Sequence, residues 1–131
     1  MANPNIVNVT SILGETTYLT PSATTSVILL PNASSSGKVY KINQIVAANV
    51  DGASAVNTSV DIYSDGDVGQ GSAPSGGTAY PIVSTVSVPA DASLIVTDKT
   101  TAIYLMEDSS IAVTSGTASK ITYSVSYEVI S

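Results

Sequence analysis

Residues 38–64 read KVYKINQIVAANVDGASAVNTSVDIYS, and the fold follows from this stretch. Val60-Asp61-Ile62-Tyr63 alternates apolar and polar with period two, the signature of a strand with one buried face. The preceding half, Val39 to Val50, is more continuously apolar and carries Ile42, Ile45 and Val46. That pattern predicts a strand covered on both faces, or one with a bulge that changes which side points inward. Asp51-Gly52 opens a turn region between the two. Two long strands joined in this way, flanked by other β-rich segments, predict a small two-sheet sandwich.

The flanking segments agree. Near the C-terminus Ile121, Tyr123, Val125, Tyr127 and Val129 share one face, and Thr122, Ser124, Ser126 and Glu128 share the other. This is the cleanest alternation in the chain, and it predicts a central strand with the first face inward. Further strands are expected at 24–30, at 80–88 (where Pro81 sits near the start), at 93–96, at 103–105 and at 111–114. Ahead of them, residues 1–5 (MANPN) form an extended polar lead-in. Ile6, Val7, Val9, Ile12 and Leu13 then make a strand-like run that Gly14-Glu15 interrupts. Residues 65–78, DGDVGQGSAPSGGT, are the longest loop and are expected to be mobile. No segment shows a capped 3.6-residue pattern, so essentially no helix is expected. Eight or nine strands at this spacing predict an all-β, single-domain antiparallel β-sandwich spanning 1–131. A jelly roll is the first expectation and an immunoglobulin-like sandwich the alternative.

Composition narrows the function. The chain has 131 residues, well below the roughly 250–300 at which chains split into domains. Hydrophobic residues make up 44% and charged residues only 11%, which excludes disorder despite the many serines and threonines. With no Phe or Trp, the core must be aliphatic plus tyrosine. The net charge is −6, and the cations are four scattered lysines: Lys38, Lys41, Lys99 and Lys120. Nucleic-acid binding needs clustered cations to displace counterions from phosphates, so no nucleic-acid partner is expected. No apolar run approaches the ~20 residues of a membrane span. The opening residues lack the basic region of a secretory signal, so synthesis in a cytoplasm is expected.

Catalytic equipment is sparse. The absence of histidine and cysteine excludes Ser-His-Asp and Cys-His chemistry and any thiolate metal site. A Ser-Lys dyad has no lysine in an apolar setting to support it. The acids lie mostly in turns, so neither a carboxylate pair nor a catalytic residue is assigned. Asp61, Asp65 and Asp67 are the local acidic cluster, but SDGDVG lacks the spacing of an EF-hand loop. No metal and no cofactor are expected. Among the tyrosines, Tyr63 and Tyr80 flank the Gly-rich loop and are the candidates for an exposed interaction patch.

Five segments carry a resemblance: MANPNIVNVTSI (1–12), KVYKINQIVAANVDG (38–52), VSTVSVPADASLIV (83–96), IYLMEDSSIAV (103–113) and SYEVIS (126–131). With these the chain resembles small β-structured virion proteins of tailed phages, particularly phages of marine cyanobacteria. The resemblance implies a structural, non-enzymatic virion role. It points first to a capsid decoration or cement protein, partnered by the major capsid protein and by copies of itself in a trimer. Ile6, Val7 and Val9 would then be an arm or edge strand meeting a neighbour. The alternative is a tail, collar or fibre-associated module that binds a host-surface glycan or another tail protein through Tyr63 and Tyr80.

Overall fold

The computed structural model describes residues 11–101 and 103–131. Nine strands occur among them: β1 (Ile12–Leu19), β2 (Val27–Asn32), β3 (Val39–Asn49), β4 (Val56–Tyr63), β5 (Ala79–Val88), β6 (Ser93–Thr97), β7 (Ile103–Leu105), β8 (Ser109–Ser115) and β9 (Ile121–Ile130). A single 3-10 turn at Lys99–Thr101 is the only helical element described. The strands form an antiparallel β-sandwich. One sheet runs β1-β9-β3-β6, with β7 also paired to β3, and the other runs β2-β8-β4-β5.

The pairings are nested about the middle of the chain. β4 pairs with β5, β3 with β6 and β7, β2 with β8, and β1 with β9. Successive rungs fall alternately in the two sheets. The chain is therefore one long antiparallel ribbon with its tip at residues 64–78. Rolling that ribbon brings β9 beside β3 and β8 beside β4.

This corrects one expectation. β3 and β4 do not pair with each other but lie in different sheets, because the Asp51–Ala55 segment carries the chain across the sandwich. The continuous apolar character of β3 comes from bulges, as its sequence allowed. Its register with β9 shifts between Ile42 and Gln44, and its register with β6 shifts between Ile45 and Val46. Ile42, Ile45 and Ala47 all end fully buried.

β9 behaves as its alternation predicts. It sits between β1 and β3, and Ile121, Tyr123 and Val125 are completely buried against Leu29, Val60, Ile111 and Val113. Each such side chain contributes about 1.5–3 kcal/mol of burial free energy. The Tyr123 hydroxyl donates to the Thr114 carbonyl at 2.8 Å and also bonds the Thr58 hydroxyl, so a phenol from one sheet is satisfied by the other.

Buried asparagines hold the corners. Asn32 donates to the carbonyls of Lys38 and Leu105 and accepts from the Ser36 hydroxyl. Asn49 donates to the carbonyls of Ser54 and Val88 and accepts from the Asp51 backbone N–H, which fixes the exit from β3.

The 65–78 loop, expected to be mobile, is tied down instead. The Ile28 N–H donates to the Ser72 carbonyl and the Gly71 N–H donates to the Ile28 carbonyl, so the loop lines the outer side of β2. Gln70 donates to the Thr17 hydroxyl and the Leu29 carbonyl. Gly66 and Gly77 are needed for close approach. A Cβ on Gly66 would lie 1.9 Å from the Asn32 carbonyl oxygen, and one on Gly77 would lie 2.9 Å from the Ser64 hydroxyl.

Two substitutions test this packing. Val125→Asp places an unpaired charge in the core and should cost several kcal/mol, leaving the chain unfolded, whereas Ser124→Asp on the opposite face should shift the melting temperature little. Gly66→Ala should cost about 3 kcal/mol or more, because backbone must move. Gly69→Ala, which meets nothing within 4 Å, should be nearly silent in the same chemical-denaturation measurement.

Candidate functional site

The informative surface is a sheet edge. Each outer strand of a sandwich presents unpaired N–H and C=O groups that template association unless they are blunted. Among the described strands, three of the four outer positions are blunted. β2 is covered by the Gly71-Ser72 segment. β5 contains Pro81, and its register with β4 shifts twice. β6 and β7, which share one edge of β3, are only 5 and 3 residues long.

β1 differs. It runs for 8 residues without proline, in unbroken register with β9 from Ile12↔Ile130 to Leu19↔Tyr123. Ile12 and Tyr18 project from the outer face at 60% and 72% exposure, and Leu13 on the other face is 56% exposed. Gly14 stands mid-strand, yet its backbone is not left-handed and a Cβ there would meet nothing within 4 Å. No contact within the described chain requires that glycine, and a strand glycine often marks close approach by another backbone or ligand. The expected interruption at Gly14-Glu15 is absent. Glu15 continues the strand and accepts a 2.9 Å hydrogen bond from the Tyr127 hydroxyl.

Of the residues expected to interact, Ile6, Val7 and Val9 lie outside the described residues. Tyr80 is 59% exposed at the start of β5. Tyr63 is buried, contrary to expectation. It points into a small cluster with Ile28 and Ala112, and its hydroxyl exchanges hydrogen bonds with the backbone of Gly77. The alternation of β4 puts Val56, Val60 and Ile62 on the core side and Tyr63 on the opposite face, where Val68 of the 65–78 loop packs over its cluster, so the two tyrosines do not form one exposed patch.

The acidic cluster is also rearranged. Asp61 lies on β4, where burial raises its pKa above the usual carboxylate range. Asp65 and Asp67 are joined instead by Asp108, their carboxylate oxygens within 4.8 Å of one another. These oxygens stitch the loop together. Asp67 accepts from the backbone and hydroxyl of Ser34, Asp65 from the Asp67 N–H, and Asp108 from the Gly66 N–H. Beside them Glu107 is 2% exposed with neither carboxylate oxygen hydrogen-bonded, and nothing in the described structure explains it.

No protein-family model, curated protein or solved structure matches this chain. Among the described residues no helix is long and apolar enough to cross a membrane.

The buried tyrosines make stability sensitive to alkali. Burial pushes the Tyr123 phenol up to about 12 from 10.0, partly offset by the Thr58 hydroxyl. Burial, then the hydrogen bond from Tyr127 to Glu15, also raises the Tyr127 phenol. A raised folded-state pKa means that the native state holds the proton more tightly. Its stabilisation is complete below pH 10 and is lost as pH rises through the folded value. Urea melts should therefore show stability falling between pH 10 and about 12, with a shallower fall in Tyr123→Phe.

Proposed function

We propose that this chain is a structural component of a tailed-phage particle, a capsid decoration protein that lies against the shell and reinforces it without enzymatic activity. The observation that carries the proposal is β1. It is a long, unblunted edge strand with large apolar side chains exposed on both faces, on a sandwich whose other described edges are blunted. Such an edge suits strand addition by a neighbouring chain. The run containing Ile6, Val7 and Val9, supplied by an adjacent copy in a trimer or pairing with the shell itself, has the composition for this role. We read the fold as a jelly roll in preference to an immunoglobulin-like sandwich. The nested ribbon of pairings supports that reading, since jelly rolls distribute eight strands over two sheets by two Greek keys and recur in viral capsids. The resemblance in the five segments supports the virion assignment.

The alternative, a tail or fibre module that binds through a Tyr63–Tyr80 patch, loses support because Tyr63 is buried.

Copy number per particle, measured by mass spectrometry against the major shell protein, tests the proposal. Hundreds of copies in a simple ratio to the shell are expected. A dozen copies, or none, would overturn the decoration role. The edge contact further predicts that Leu13→Glu abolishes binding of purified protein to shells lacking it, with an unchanged melting temperature.

A further inference from the structure

The outward face of the β1-β9-β3-β6 sheet carries a feature that the edge contact does not use. Residues directly opposite one another across the strands form rows. One row runs Gly14, Glu128, Lys41, Tyr104. Another, four residues along β1, runs Tyr18, Ser124, Val46, Ile95. Between them lies Thr16, Ser126, Gln44. Rows two residues apart are separated by roughly 7 Å. The middle row is low because Thr16 and Ser126 are small, and their hydroxyls hydrogen-bond each other at 3.0 Å.

The β3 bulge opens this row into a trough. Asn43 is the extra residue between Ile42 and Gln44, and bulges commonly re-aim a side chain beside a site. Two hollows of about 460 and 260 Å³ adjoin here, both lined by Asn43 and Ser126. The larger reaches Gln44 and the turn carrying Asp98, Lys99 and Thr100. The side chains of Asn43 and Gln44 make no hydrogen bond among the described residues, so their donors and acceptors are free. Asp98 is held ionised, below the usual carboxylate range, first by the Thr100 hydroxyl and then by the Thr100 N–H. The charge is slightly negative: Asp98 stands beside Lys99, Lys41 pairs with Glu128 at 3.9 Å, and Glu15 lines the smaller hollow. Tyr18 and Tyr104 stand in the adjoining rows, outside the lining of both hollows, and both are exposed.

We propose that this trough is a binding site for a neutral oligosaccharide. Two free amides, a fixed carboxylate and a lysine supply the paired donors and acceptors that vicinal hydroxyls need. The exposed tyrosine faces offer apolar contact to the C–H faces of sugar rings. The absence of a cation excess disfavours phosphates and polyanions. Two adjoining hollows sharing Asn43 and Ser126 give room for more than one ring. The site lies on the face of the sheet and not on the β1 edge, so it does not depend on the virion reading.

The test is titration of the isotope-labelled full chain with maltohexaose, cellohexaose, laminarihexaose and chitohexaose, followed by amide NMR. At least one should bind at millimolar concentration or below, with shifts centred on Asn43, Gln44, Thr100 and Ser126. The double variant Asn43→Ala, Gln44→Ala should weaken that binding at least tenfold while leaving the melting temperature unchanged, and Tyr18→Ala should weaken it as well. Three results would each overturn the proposal: no binding of any of the four, binding undiminished in the double variant, or preferential binding of dextran sulfate.

Discussion

The register of β9 is the constraint on which the sandwich depends. This strand has a partner along both edges, so its alignment sets that of β1 and β3 together. Side chains alternate with period two, and a slip of one residue would turn Ile121, Tyr123 and Val125 to solvent and bring Thr122 and Ser124 into the core. The Tyr123 phenol adds a second condition. It spans the core only because Thr114 and Thr58 of the opposite sheet receive its hydroxyl, so the two sheets must also be aligned with each other. Apolar burial supplies most of the driving force, while this directional contact selects one arrangement among several that would bury similar area.

The corners impose their own demands. A chain that repeatedly changes sheets must turn while its backbone groups are buried, and Asn32 and Asn49 satisfy carbonyls and an N–H that no ladder reaches. The tip of the ribbon then folds back against β2, close enough that Gly66 has no room for a side chain. Most of the polypeptide edge is thereby closed, shortened or broken by bulges. Among the described strands β1 is left as the exception, with Ile12, Leu13 and Tyr18 exposed. Edge and face are separate resources. The outer side of β1 has no strand partner among the described residues, whereas the bulged outer face presents amides and hydroxyls.

Parts of this were legible in the chain. The alternation of 121–129 identified β9, its central place and its inward face, because a half-buried strand writes its burial directly into every second residue. Pro81 correctly fell near the start of an outer strand. The site was harder to read. Tyr63 and Tyr80 look equivalent beside a glycine-rich loop, but the loop folds over Tyr63, where Val68 packs and the Gly77 backbone engages its hydroxyl, and leaves Tyr80 exposed. Gly14-Glu15 looks like a break, yet an edge strand tolerates glycine where a central strand would lose packing. Asp108 is distant in sequence from Asp65 and Asp67, so no local motif could have grouped them. Asn43 and Gln44 carry no signature beyond the bulge implied by the irregular apolar spacing of β3.

The sequence by itself determined the all-β class, the approximate strands, the absence of histidine and cysteine chemistry, and the buried face of β9. These are local properties, set by side-chain periodicity and composition. Tertiary structure alone decided that β3 and β4 lie in opposite sheets, that the 65–78 loop is anchored, that β1 is the open edge among the described strands, and that hollows form at Asn43. Each of these depends on which distant segments meet, and period-two alternation specifies a face without specifying the partner that covers it.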